Sequence, residues 1–378
     1  MTFQVRRIST DDAFAALAPS WSRLLERSAQ PSPFLTHDWF ACCWLACAPE
    51  AHPEVLVVED VARTVAVVPL RRWRERVRGI PVRCVGFLES HDTAIADIVT
   101  DGDPAQVVAA VLQHLRERRD WDVARLRGLP AVSRTVRALE TTLPACFKWR
   151  RAGRILSPYV AIDRPWTEFW NGTSARFKKT VRNVQNRLSR AGKVTIDEHR
   201  VLDTGGRLLE EAIDVSRRSW KAERGLAIAT MRHMPEFFSE LSRRAGARGW
   251  LSLWFVRLDG RAIATEYQLR AGGVVHALRA DYDLEYRALS PGSALNAAIV
   301  KALFEHGDVT EYDMGPGLNE YKLRWATGNH ETVRFDIYAS HMRGRLLALL
   351  ESVVVPAASR LRARWSRPPS EAPGPATS

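Results

Sequence analysis

Cysteine is scarce in this chain of 378 residues: there are five. An odd number in a long chain argues against a disulfide framework and for a reducing compartment, so a cytoplasmic location is expected. Three of them, Cys42, Cys43 and Cys47, crowd one apolar segment. Their spacing is not that of a zinc site, so no metal is expected and buried thiols on a helix face are the reading. Long apolar runs are also missing. No segment reaches the ~20 residues of a membrane span, and the first dozen residues lack the apolar core of a secretory signal. Acidic residues are in deficit, 43 against 55 Lys plus Arg, for a formal net charge of +12 and a pI near 9.9. That excess favours anionic partners without choosing among nucleotides, phosphorylated cofactors, nucleic acid or a membrane surface. There is no recognisable nucleic-acid-binding motif, so no specific nucleic-acid partner is expected.

Most of the information lies in residues 281–325. Leu295, Ile299 and Leu303 recur every four residues and predict a helix with one apolar face, ended by Gly307. Ser290-Pro291-Gly292-Ser293 opens that helix. Serine caps, proline suits the first helical position, and glycine lets a ligand approach the backbone. The first amide protons of such a helix suit a diphosphate. Ahead of it, two strand-like runs flank Asp259-Gly260, a strong hairpin signal, and Gly272-Gly273 turns into a third strand over 274–280. After it come a strand over 309–313, a Gly315-Pro316-Gly317 loop and the pair Tyr321-Lys322.

A similar order occurs earlier: strands over 54–59, 64–69 and 82–88, a helix over 106–118 and a strand over 121–126. We read an internal duplication of one α/β unit, much longer than a solenoid repeat. The first copy has no Ser-Pro-Gly turn before its helix, so it is not expected to hold the cofactor. Its His91-Asp92 is read as a polar turn in preference to a cleft-facing pair. Residues 128–165 read as a connector with strands. Between 173 and 193 stand Arg176, Lys178, Lys179, Arg182, Arg187, Arg190 and Lys193 with no acid among them, while Phe177, Val181, Val184 and Leu188 keep helical spacing. This is a basic amphipathic helix, either a solvated face or a lip for an anionic substrate or membrane-associated machinery. Trp220, ahead of Gly225, is read as a packing residue.

The stretch resembles the GNAT acyltransferase superfamily, whose coenzyme A loop reads Gln/Arg-x-x-Gly-x-Gly/Ala. Here Arg287-x-x-Ser290-x-Gly292 fits, with serine for the first glycine. More narrowly it looks like the CelD-like acetyltransferases of bacterial cellulose and exopolysaccharide clusters, relatives of the Fem-type double-GNAT transferases. The shared features are Asp281-Tyr282-Asp283, Ser290-Pro291-Gly292, Asp313 with its following glycines, and Tyr321-Lys322 before Arg324-Trp325. The likeness is specific in 281–325 and weak over most of 1–340. It implies an α/β (α+β) fold of two tandem GNAT-like units, each a mixed, mostly antiparallel sheet flanked by helices. The expected divisions are an N-terminal unit over 1–150, an acyltransferase unit over 151–345, a basic amphipathic helix over 346–367 and a disordered tail over 368–378.

The function this implies is acyl-CoA-dependent N-acyltransfer, with acetyl-CoA or another acyl-CoA as donor. The acceptor would be an amino sugar, nucleotide-sugar or other small amine, with possible peripheral contact to membrane or polysaccharide-synthesis machinery. Arg287, Ser290, Pro291, Gly292 and Ser293 would hold the cofactor. Acyl transfer to nitrogen needs a base, an acid and a polarised carbonyl. The base candidates are Glu266, Asp281 and Asp313, with His276 also weighed. Tyr321 is the acid candidate, with Tyr282 second. Lys322, Arg324, His276 and Tyr282 are the acceptor-binding candidates. A Fem-like transferase using aminoacyl-tRNA and a non-catalytic accessory of polysaccharide synthesis are the alternatives.

Overall fold

A computed structural model describes residues 3–28, 32–61, 63–203 and 206–351. Most of the helix expected over 346–367 and the whole tail over 368–378 lie outside the described residues; a helix is present over Met342–Leu349.

The strands form one thirteen-stranded sheet. The first half contributes β1 (Gln4–Ile8), β2 (His52–Asp60), β3 (Arg63–Val77), β4 (Ile80–Phe87), β5 (Val99–Thr100) and β6 (Val123–Pro130). Then follow β7 (Lys148–Ala161), β8 (Val194–His199), β9 (Leu251–Leu258), β10 (Arg261–Ala271), β11 (Val274–Tyr282), β12 (Glu311–Asp313) and β13 (Gly328–Tyr338). The order across the sheet is β1-β2-β3-β4-β6-β13-β7-β12-β11-β10-β9-β8, with β5 beside β3.

That order is a palindrome of two units with their last strands exchanged. The run β2-β3-β4, helix Pro104–Glu117, β6 repeats as β9-β10-β11, helix Pro291–His306, β12. Yet β7, which follows the first unit, pairs with β12 of the second, and β13, from the C-terminal half, lies between β6 and β7. A cut near residue 150 therefore divides the sequence more cleanly than it divides the sheet.

The apolar faces of the strands build three large clusters. One packs β2, β9 and β10 against the N-terminal helices and the helices Arg207–Arg217 and Met234–Ala247. A second lies under the helix Pro104–Glu117, and a third under Pro291–His306 and the basic helix Ala175–Ala191. Each strand alternates sides, so one sheet feeds cores on both faces. Residues 128–165 are not merely a connector with strands: they hold the helix Arg134–Cys146, whose Val136, Leu139 and Leu143 are buried.

The two units differ at the point where their parallel strands diverge. In the first, β4 and β6 pair over three positions, Cys84↔Val123 to Gly86↔Arg125. Beyond them the chain itself fills the gap. Ala96 N donates to Gly128 O at 3.0 Å, and Ala96 and Ile98 are buried among Val68, Val85 and Phe87. Only about 20 Å³ of wholly apolar void remains there. In the second unit β11 and β12 also pair over three positions, Val274↔Glu311 to His276↔Asp313. After Asp313 the chain stays with β7, Met314 N donating to Pro158 O and Gly317 N to Leu156 O. Residues 277–282 of β11 are left without β12, and no segment among the described residues refills the gap.

Candidate active site

A cleft of about 540 Å³ opens where β11 parts from β12. The hairpin Asp259-Gly260 (φ +50° and +84°) sets β10 beside β11. The β10–β11 ladder slips by one residue at Tyr267/Gln268, a bulge that re-aims the strand next to the cleft. Side chains from both faces of these strands reach one cavity.

On the face of the helix Pro291–His306 stands Glu266. It is 3 % exposed. Its Oε1 accepts from the Tyr312 hydroxyl at 2.5 Å and from Gln268 Nε2 at 2.7 Å, so among the described residues Oε2 has no protein partner. Burial pushes the Glu266 carboxyl above its ordinary range, against those two hydrogen bonds and the charges of Lys322 and Lys221. Asn296, in the second turn of the helix, donates to Tyr312 at 3.4 Å, and its own Oδ1 is buried without a partner among the described residues. A polar atom orphaned in a cleft wall is costly unless a ligand pairs it.

The turn borders the same space: Arg287, Ser290, Pro291, Gly292 and Ser293 all line the cleft. Ser290 sits in the left-handed region, φ +55° and ψ +50°, a conformation that favours glycine. Its carbonyl already accepts from Ser293 N (3.0 Å) and Ala294 N (3.2 Å). Of the first-turn amides expected to be free, Gly292 N–H is thus the one left without a partner among the described residues, since Pro291 has none. The Ser290 hydroxyl does not cap the helix; it accepts from Arg187 Nη2 at 3.2 Å. Gly292 has room: an added Cβ would come only to 3.4 Å of the Tyr282 ring.

The opposite face carries Asp281, 4 % exposed, with both carboxylate oxygens buried and, among the described residues, without hydrogen bonds. Lys221 Nζ lies 3.0 Å from one of them but off the bonding direction, and donates instead to Ala280 O at 2.8 Å. Lysine there supplies charge balance and no directed bond. Beside it Arg279 donates to Asp92 at 2.8 Å and to Leu226 O at 2.9 Å. His91 and Asp92 therefore belong to the cleft wall and are not a detached polar turn. Trp220, 37 % exposed, lines the cleft too, and is more than a packing residue. Burial raises the Asp92 carboxyl although Arg279 opposes it.

Tyr321 and Lys322 close the cleft. Desolvation, with the charges of Glu266 and Asp281, raises the Tyr321 phenol above its usual pKa. Lys322 is buried and donates to Gly315 O (3.0 Å) and Pro316 O (2.9 Å), tying the loop after β12. Burial lowers its ammonium to about 8.

Three expected site residues lie elsewhere. Asp313 and His276 face one another across the β11–β12 ladder: His276 Nδ1 and Asp313 Oδ2 are 3.0 Å apart, and Asp313 also accepts from Gly315 N. Burial would raise the Asp313 carboxyl, but His276 and the Gly315 amide bring it below its ordinary value. Neither lines the cleft. Arg324 pairs with Glu320 and borders a separate cavity of about 380 Å³ with Arg164, Phe177 and Trp325. Lys221, Arg279, Asn296 and Tyr312 are cleft residues that the sequence reading did not pick. Asn296 alone left a signal, a polar residue on the apolar face of its helix. Among the described residues no cluster of three or more His, Cys, Asp or Glu is placed to hold a metal ion, and no helix is long and apolar enough to cross a membrane.

This arrangement, a splayed parallel pair, a helix-opening turn and a cleft between them, is that of an acyltransferase unit, and comparison with known families agrees. Residues 175–323 match the acetyltransferase (GNAT) domain family. The chain carries a GNAT-type acetyltransferase domain there and is an enzyme of the acyltransferase class. No curated protein sequence matches it. Among solved structures, FemX is similar with a TM-score of 0.57 at 12 % identity, over 91 % of this chain and 100 % of that one. The C-terminal domain of a putative lysylphosphatidylglycerol synthetase from Agrobacterium fabrum gives 0.54 at 15 %, over 90 % and 97 %. A tandem GNAT protein from the clavulanic acid biosynthesis pathway gives 0.50 at 12 %, over 89 % and 98 %. At such identities these likenesses establish the fold, two GNAT units in tandem.

Proposed function

We propose that this protein transfers the acyl group of an acyl-coenzyme A, acetyl-CoA foremost, to the amino group of a small acceptor: an amino sugar, nucleotide-sugar or related amine. A cytoplasmic setting in exopolysaccharide synthesis, beside the CelD-like acetyltransferases, is the finer form of this reading. One observation carries it. A single cleft joins the 290–293 turn to a buried carboxylate through a gap in the sheet that the first unit fills and the second leaves open.

The donor fits the residues present. The Gly292 amide, the Ser290 and Ser293 hydroxyls and Arg287 are suited to a diphosphate, and the orphaned Asn296 Oδ1 and the unpaired edge of β11 to an amide-bearing arm. When bound, a thioester supplies an activated acyl group and a thiolate leaving group. Glu266 is the assigned base: its raised pKa places proton uptake nearer neutrality, and Oε2 is free to accept the acceptor's proton. Tyr321 is the assigned acid, a cleft-lining phenol that is protonated at neutral pH. Amides on the free edge of 277–280 would polarise the carbonyl. Asp281, Lys221, His91, Tyr282 and Trp220 would receive the acceptor, and Lys322 would hold the loop that closes over it. Asp313 and His276 take a supporting role, bracing the three-residue ladder from which the gap opens.

The test is thiol release from acetyl-CoA by the full chain with a panel of amino sugars. Acceptor-dependent release is expected; absence of release together with absence of thermal stabilisation by any acyl-CoA overturns the reading. One observation favours a second reading, aminoacyl-tRNA as donor: the outward face of Ala175–Ala191 carries basic residues with no acid on the helix. Activity lost on ribonuclease treatment would select it.

A further inference from the structure

The helix Ala175–Ala191 is basic along its exposed side, yet one of its residues does something the others do not. Arg176, Lys179, Arg182, Arg187 and Arg190 are exposed, and among the described residues none of them has an acidic partner. Val184 and Leu188 are buried against the core that also holds Ala294, Leu295 and Ile299, so the helix lies beside Pro291–His306. This packing carries Arg187 to the start of that neighbour, where Nη2 meets Ser290 Oγ.

A guanidinium held at a helix N-terminus is electrostatically misplaced, because the dipole there is positive. Arg287 lines the turn's end of the cleft, so two arginines and the Gly292 amide gather there with, among the described residues, no carboxylate as a hydrogen-bond partner. Ser290 adds a strained backbone and a hydroxyl diverted from capping. Asn296 Oδ1, one turn on, is buried and unpaired in the same wall. A cationic cluster without a counter-ion, beside an unsatisfied acceptor, is arranged for a ligand that brings negative charge and an amide donor.

We propose that Arg187 is a second clamp for the diphosphate of the acyl carrier, delivered from outside the helix-opening turn by the basic helix. It rests on the acyl-CoA reading and deepens it. The Ser290 hydroxyl holds the guanidinium in place in the unliganded protein. On binding, its remaining N–H groups take the phosphate oxygens in forked geometry, opposite Arg287. The site thereby selects carriers with a diphosphate over shorter thioesters.

The experiment measures calorimetric binding of CoA, 3′-dephospho-CoA and S-acetylpantetheine to the full chain and to Arg187→Ala, Arg187→Lys, Arg176→Ala and Gly292→Trp. Arg187→Ala should weaken CoA and dephospho-CoA alike by about 10- to 100-fold, the range of a charge-assisted hydrogen bond. S-Acetylpantetheine, which has no diphosphate, should bind it as it binds the parent. Arg187→Lys should recover only part of the loss, since lysine is a point charge without the fork. Arg176 lies eleven residues back, about 16 Å along the helix, and its alanine variant should bind CoA within about twofold of the parent. A loss with CoA but not dephospho-CoA would move Arg187 to the 3′-phosphate and overturn the assignment. So would equal losses from Arg176→Ala, which would mean a diffuse field, or an equal loss with S-acetylpantetheine, which would mean a structural role. If Gly292→Trp abolishes CoA binding while Arg187→Ala leaves it intact, the acyl-CoA reading stands and the clamp falls. If the parent chain binds no CoA, both fall.

Discussion

Tyr312 donates a hydrogen bond from its hydroxyl to Glu266 across 2.5 Å, from the neighbouring side of the gap between β11 and β12. This bond opposes the effect of burial, lowering a carboxyl that desolvation raises. Tyr312→Phe keeps the ring and removes the bond, so the Glu266 pKa should rise further. If Glu266 works as a base, its active form is the carboxylate, and the acid limb of kcat/KM against pH should move up by about one unit. A lowered kcat with an unmoved acid limb would show that Glu266 is not the titrating base.

Gly292→Trp should abolish acyl-CoA binding without unfolding the chain. The position is helical, borders the cleft and has only Tyr282 within 4 Å of an added Cβ. A side chain grown there enters the space meant for the carrier. Gly292→Ala should keep most binding. The check is thermal unfolding with and without CoA: the parent should show a ligand shift, the tryptophan variant none, and their unliganded midpoints should agree within a few degrees.

Asp92 and Arg279 join the two units across the cleft at 2.8 Å, with both side chains buried. Arg279→Met should cost about 3–5 kcal/mol, because it strands a buried carboxylate. Arg279→Met with Asp92→Asn should regain a good part of that loss. Denaturant unfolding of the parent, both single variants and the double variant gives the coupling energy. Additive losses would mean the pair does not hold the units together.

Asp97 sits in the segment that fills the gap of the first unit, accepting from Ser133 Oγ at 2.5 Å and Ile98 N at 2.7 Å. Burial raises its carboxyl to about 6, from an ordinary 3.8. Between those values the folded chain binds a proton that the unfolded chain does not, so this group makes stability fall as pH rises through the window. Asp97→Asn removes the titration and keeps an acceptor for Ile98. Relative to the parent it should gain on the order of 2 kcal/mol between pH 4 and pH 8. A difference between the two proteins that is flat in pH would disprove the shift.

Local chemistry made parts of this fold readable. Leu295, Ile299 and Leu303 marked their helix, and Asp259-Gly260 marked a hairpin whose two positive φ angles fit it. What escaped was non-local or locally contradictory. The helix Arg134–Cys146 contains Pro144 and three threonines, which argue against a helix by propensity, and burial of its apolar face overrides them. β13 was not read as a strand, because Asn329, His330 and Glu331 break any alternation and its partners Leu126 and Arg154 are remote in sequence. The cleft followed the same rule. Its turn lay in one stretch and could be read, whereas Trp220 and His91 join it from distant segments, and Arg187 reaches the turn only through Ser290. Asp313 and His276 looked catalytic at a strand end, but the three-residue ladder turns them toward each other.

The exchange of β7 and β13 bears on how this chain can be divided. A fragment ending near residue 147 would keep β6 with one long side bare, where Thr332–Tyr338 of β13 belong. The complementary piece would carry that strand with half its partners gone. Neither product should fold by itself, and each would offer open backbone to its own kind. Coexpressed as separate polypeptides, the two should reassemble into one soluble heterodimer, which makes this protein a candidate for split-reporter engineering.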